Sequence, residues 1–308
     1  MAVKNGAKHQ HWVPQFYLRQ FATPESRLTD EPQVWLLDIP EPDEGGKVTS
    51  VRNVCGKRYL YSPEDVNGER DWSVEELLGN VESLAASLWP ILNEGSPDLA
   101  HPTIRRGLSY YLAFQHLRNL WLYNLIDHAF GLRNKLYGPP TAESLAARDP
   151  TWPDPAHSGR FFSQTIIRDV ERIVERFAAK HWAVLCTEKD LLLTSDRPLI
   201  FARIHDDDQQ DVGIFPLSPR RVLVMTDKLD PADPVRWLYA ELPEDVAQII
   251  NVAISEQCIR FVFAGRPIPD VLGDSELPKK IHLRREERQA ERRRAAEDNS
   301  RTFQQHNR

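Results

Sequence analysis

His9-Gln10-His11 sets two imidazoles one residue apart, and Val13-Pro14 follows at once. In an extended strand, alternate side chains share a face. Both rings then point at one ion or one substrate, with the chemistry of a metal ligand, a general base or a phosphate holder. The plain alternative is that one ring fills a gap in the core and the other bonds backbone. A metal centre needs at least a third ligand, and Asp196 and Glu82 are the candidates. Zn²⁺ or Mn²⁺ suits mixed imidazole–carboxylate ligation better than Mg²⁺. Asp196 sits in Thr194-Ser195-Asp196-Arg197-Pro198, where a strand runs into a polar turn. The same residues also suit a turn closed by the Ser195 and Asp196 side chains, with no chemistry at all.

Gln115 and Arg118 form the second unusual feature. They fall inside an apolar stripe that runs from Tyr111 to Leu122 at steps of four, three and four. An unpaired guanidinium buried there costs roughly several kcal/mol, so an anion must face it. Glu82, Asp196, or a ligand carboxylate or phosphate meets that need. The choice lies between a structural Arg–Glu pair joining two helices and an anion-binding pair. His205-Asp206-Asp207-Asp208 has the look of a metal cluster but lacks the glycine and terminal glutamate of a calcium loop. The sequence holds no phosphate-cradling glycine loop, nucleophile elbow or His-Glu-x-x-His motif.

The run His9, His11, Val13, Pro14, Tyr17, Leu18 and Phe21 resembles the opening signature of a bacterial family known as domain of unknown function 4238. Further islands are similar in the same order. They are Arg52-Asn53-Val54 with Tyr59 and Tyr61, Glu82, Gln115 with Arg118, Thr194-Ser195-Asp196-x-Pro198, Pro216-Leu217-Ser218-Pro219, and Asn251 ahead of Arg260-Phe261. Together they span roughly residues 8–265. The resemblance implies a set of residues, Asn53 and Ser195 among them, and no reaction.

The elements that must position these groups follow from periodicity. Residues 8–21 read as an extended entry and a short helix, and 33–39 with 47–54 as a hairpin across a turn at 41–46. Ser73 and Glu76 have the spacing of a capping box, ahead of a helix stopping near Gly95. One long central helix is expected from about Thr103 to Tyr137, ended by Pro139-Pro140, with a proline-rich loop over 139–158. Phe162, Ile166, Val170, Ile173 and Phe177 mark another helix. Short strands are expected at 182–187, 191–194, 199–202, 222–225 and 260–263, with a helix at 243–257. This order predicts an α+β fold with central long helices against short, mostly antiparallel strands. Residues 1–270 read as one domain: a hairpin and helices to 138, the loop, then a β-rich part from 159. Residues 271–308 read as a charged tail, helical or disordered, of which 275–308 bury almost nothing.

Composition bounds the partners. The net charge of −6 makes the whole molecule no obvious nucleic-acid binder. Residues 279–308 differ: ten Lys and Arg against five Asp and Glu leave +5, a patch for nucleic acid or an acidic partner. No apolar run reaches the ~18 residues of a membrane span. Three scattered cysteines suggest a reducing cytoplasm. The expected function is a metal-assisted hydrolase of a phosphodiester or similar anion. His9, His11 and Asp196 hold the metal or nucleophile, Glu82 serves as acid/base, and Gln115, Arg118, Ser195 and Asn53 bind substrate. The alternatives are a non-catalytic small-anion sensor, or a structural protein with a buried polar network. The catalytic reading expects His9, His11, Gln115, Arg118 and Asp196 in one pocket, with the N-terminal strand beside the 182–195 sheet.

Overall fold

The computed structural model describes residues 7–42, 46–64, 68–141, 143–144, 157–203, 211–228, 230, 232–234, 236–274, 276–287 and 290. His205-Asp206-Asp207-Asp208 and most of the proline-rich stretch lie outside the described residues. In chain order the elements begin with β1 (His9–His11), α1 (Gln15–Leu18), β2 (Gln33–Asp38), β3 (Lys47–Ser50) and β4 (Gly56–Arg58). The helices α2 (Ser73–Glu94), α3 (Pro102–Leu117), α4 (Leu120–Tyr137) and α5 (Ser158–Ala178) follow. Then come β5 (His181–Cys186), β6 (Thr194–Ser195), β7 (Ile200–Arg203), β8 (Asp211–Ser218), β9 (Arg221–Thr226) and β10 (Trp237–Glu241). The chain closes with α6 (Glu244–Gln257), β11 (Phe261–Ala264) and α7 (Ile268–Leu272).

The fold is α+β. One sheet has the order β10-β5-β9-β8-β7, and a second β3-β2-β11-β6. Pairing is antiparallel except between β10 and β5. α5 forms where it does because Phe162, Ile166, Val170, Ile173 and Phe177 recur at helical spacing, and all five are buried. They pack with α2 and α3 on the five-stranded sheet, around the ring cluster of Tyr17, Trp89, Tyr111 and Phe215. A second core joins Leu193, Ile200, Ile254 and Val262 beneath α6 and α7. No helix among the described residues is long and apolar enough to cross a membrane.

Four differences from the sequence reading have physical causes. The expected long helix is two. Arg118 leaves helical geometry at φ −87° and ψ 12°, and the Asn119 side chain accepts the Leu122 N–H at 2.8 Å, capping α4. The apolar period runs through this break, which hides it. Ser73 does not cap α2; the Asp71 carboxylate takes the Ser73 N–H at 2.9 Å instead. β1 pairs with β4, not with the 182–195 strands, because the turn at 51–54 brings Gly56 alongside it. The tail is not free from 271 on. Val271 and Leu272 are buried, residues 277–287 are helical, and Ile281 is fully buried in the second core.

Candidate functional site

β1 is a three-residue strand held by β4 in the register His9↔Arg58 and His11↔Gly56. Directly opposed residues share a face, so His9, His11, Gly56 and Arg58 lie on one side. Gln10 turns the other way and anchors the strand. Its amide donates to Ser62 Oγ at 2.7 Å and accepts the Tyr61 N–H at 2.7 Å. The two imidazoles meet edge to face, 4.9 Å between centroids. His9 occupies the space above Gly56: a Cβ there would fall 2.1 Å from His9 Nε2. Cys55 and Tyr59, which bracket β4, both hold positive φ, at 54° and 55°. For non-glycine residues such backbone is strained by about 1–3 kcal/mol each, and it gathers at functional sites.

His11 Nε2 lies 3.2 Å from the Arg52 carbonyl. A carbonyl only accepts, so Nε2 carries the proton and Nδ1 keeps its lone pair, 3.4 Å from the Gln15 amide nitrogen. Burial lowers the His11 pKa; the bond to Arg52 opposes this, and His9 lowers it further. His11 is therefore a neutral imidazole at neutral pH, with Glu82 and Arg118 near enough to act on it electrostatically.

Behind the histidines a polar chain crosses three elements. Arg118 is 1 % exposed and pairs with Glu82 of α2. Its Nη2 donates to Gln115 Oε1 at 3.2 Å, and Gln115 Nε2 donates to the Trp12 carbonyl at 2.9 Å. Tyr61 Oη donates to the Arg118 carbonyl at 3.0 Å. The break between α3 and α4 sets Arg118 at the carbonyl end of α3, where the helix dipole favours a cation. The structural Arg–Glu pair foreseen as one reading is thus formed, and Arg118 is not open to an external anion. Its Nε is buried without a partner. Glu75 lies two turns before Glu82 on the same face of α2. Burial, then the charge of Glu82, push its pKa up to about 7 against the pull of Arg118.

Asp196 has a different task from the one expected. It is fully buried, and its Oδ1 accepts the Ile259 N–H at 2.8 Å. Its Oδ2 accepts the N–H groups of Arg260 and Phe261 at 2.8 and 3.0 Å. Burial raises its pKa to about 6, with these three bonds opposing. The carboxylate fastens the turn ahead of β11 and does not join His9 and His11 as a ligand. Among the described residues, no three His, Cys, Asp or Glu side chains gather as a metal site. Ser195 is fully buried and its Oγ accepts the Arg197 N–H at 3.2 Å, a turn-closing role. Asn53 lines a separate cleft, which neither histidine lines. What ties these residues together is Trp12. Its indole N–H donates to the Asp196 carbonyl at 3.0 Å while its own carbonyl receives Gln115.

The candidate site is therefore His9 and His11 with Arg58 opposite, and the network of Glu82, Arg118 and Gln115 that acts on His11 electrostatically and includes Glu75 and Tyr61. The sequence reading passed over Glu75 and Arg58. Glu75 reads as an ordinary acid in a first helical turn, and Arg58 as one exposed cation among many.

A family model described as protein of unknown function (DUF4238) matches residues 9–267. The match covers most of the chain, which therefore belongs to that family. No curated protein and no solved structure matches it.

Proposed function

We propose that this member of the DUF4238 family is a hydrolase of a phosphodiester or a similar anionic ester, with its acid–base centre where β1 meets α2 and the end of α3. The observation that supports this reading best is the pair of imidazoles in edge-to-face contact, His9 packed over Gly56 with no room for a Cβ and His11 within the field of the Arg118–Glu82 ion pair. Such rigid placement of titratable groups is what proton transfer needs. His11, unprotonated at Nδ1, takes a proton from the attacking water. Glu75, balanced near pH 7, returns one to the leaving oxygen. Arg58, across from His9, and exposed Lys8 provide the cations that select an anion. Arg118 positions Glu82 and Gln115 and does not touch substrate. The described residues do not fit the expected ligand set of His9, His11 and Asp196, so no step runs through a metal. The three free cysteines agree with a bacterial cytoplasmic setting, which we propose with it.

The test is hydrolysis of bis(p-nitrophenyl) phosphate, p-nitrophenyl phosphate and p-nitrophenyl acetate by the full chain. A rate on a phosphate ester is expected, falling at least about 100-fold in His11→Ala. No rate on any substrate, or a rate unchanged in His11→Ala and Glu75→Gln, overturns the reading. A second reading has its own support: both atoms of the Gln115 amide and both oxygens of Asp196 are engaged by neighbouring groups of the chain, and both side chains are buried. On that reading the network is structural and the face of β1 holds an anion without turnover. Phosphate binding with no hydrolysis would favour it.

A further inference from the structure

Beside the 51–54 turn, a cleft of about 400 Å³ opens between β2, β3 and β11, with neither His9 nor His11 in its lining. That size accepts a small ligand. Its polar side chains converge from separate segments: Asp38, Glu41, Lys47, Thr49, Asn53 and Arg260, with Phe261 as an apolar wall. We propose that this cleft binds a small zwitterion of the free amino acid class.

The charge pattern supports one ligand carrying both signs. Arg260 donates from Nε at 2.8 Å and from Nη2 at 2.5 Å, and both bonds land on Asp38 Oδ2. The guanidinium thus forgoes the usual two-oxygen fork. Asp38 Oδ1 is left covered and without a donor. An acceptor that the chain does not use is an expense a ligand ammonium offsets, once the carboxylate turns toward it. Glu41 stands 3.9 Å from Arg260 Nη2 and keeps most of its surface exposed, adding a second negative group on that side. Lys47 is exposed and makes no ion pair among the described residues, and Arg260 Nη1 makes no hydrogen bond there. These two cations are placed for a carboxylate. A simple anion would meet Asp38 and Glu41, and a simple cation would meet Lys47 and Arg260. Arg260 already faces Asp38 and Glu41, and with Lys47 the four charges sum to zero, so a ligand carrying both signs enters without leaving a net charge in the cleft. Asn53, with an amide that donates and accepts, lines the same cleft.

The site is independent of the hydrolase reading, and its test leaves the histidines untouched. Titration calorimetry of the full chain uses the free L-amino acids, their amides and their N-acetyl forms. At least one amino acid is expected to bind with Kd below about 1 mM, and its amide and its N-acetyl form each about tenfold more weakly. Lys47→Ala should weaken binding about tenfold without changing the melting temperature, since Lys47 is exposed. Asp38→Asn should do the same to binding, and Lys47→Ala keeps the test decisive if Asp38→Asn does not fold. The proposal is overturned if no amino acid binds, if the amide and N-acetyl forms bind as well as the parent, or if Lys47→Ala binds as tightly as the natural chain.

Discussion

Glu75 makes the network testable without a substrate. Its pKa stands at about 7 in the folded chain, against an ordinary 4.5. Below pH 4.5 the folded and unfolded states both hold the proton, and the residue has no effect on stability. Between the two values the unfolded chain has lost its proton while the folded chain keeps it. Stability therefore falls as pH rises through this window, and the full loss is present above pH 7. Taken whole, the shift corresponds to roughly 3 kcal/mol. Glu75 is only half-buried, so screening by water reduces this to about 1–2 kcal/mol. Glu75→Gln keeps the shape and removes the charge. Its stability should match the natural chain at pH 4.5 and exceed it by that amount at pH 8.5, about 2–4 °C in melting temperature. Urea unfolding at four pH values between 4.5 and 8.5 measures it. Two curves that stay parallel across the range would show that Glu75 is solvated and that the Glu82–Arg118 pair does not act on it.

Arg118→Met takes the donor from the Glu82 carboxylate and from Gln115 Oε1, and should destabilise the chain by about 3–5 kcal/mol; adding Glu82→Leu should recover most of it in chemical denaturation. Gly56→Ala should push His9 off β4, at a loss of about 1–3 kcal/mol, with the His9 ring proton resonances displaced in NMR. An unmoved His9 resonance there contradicts the packing described. Ile281→Ala should cost about 2–5 kcal/mol, because its side chain is fully inside the second core. An unchanged midpoint would mean that residues 277–287 do not dock.

Legibility followed local periodicity. α5 was plain because five buried residues repeat at one spacing and nothing interrupts them. β8 was missed although seven of its eight residues are buried. Pro216 argues against a strand, yet it sits where the register with β9 slips, and a bulge tolerates it. β10 was missed for the opposite reason: as a largely exposed edge beside β5, it shows no buried face. At the site, Arg118 was legible because a cation inside an apolar stripe demands an anion, and Glu82 was among the partners foreseen. Asp196 was legible as a polar residue in need of bonds. Nothing local told that those bonds would come from the backbone of residues 259–261. Glu75 could not be read, since its raised pKa depends on burial and on Glu82, which only the packing of α2 decides.

The burial of the segment that carries the histidines bears on how the protein is made. Trp12, Val13, Tyr17, Leu18 and Phe21 are all inside the first core. Tyr17 Oη reaches Thr194 Oγ1 at 2.7 Å and the Pro216 carbonyl at 2.9 Å, the latter 199 residues downstream. During synthesis these partners arrive roughly 10–40 s after Tyr17. Until then the Tyr17 hydroxyl has neither of these bonds, although β1 already has β4 and Trp12 already has Gln115 within the first 118 residues. The segment that carries the histidines is therefore seated early on one side and closed from the other only when the strands near 194 and 216 arrive.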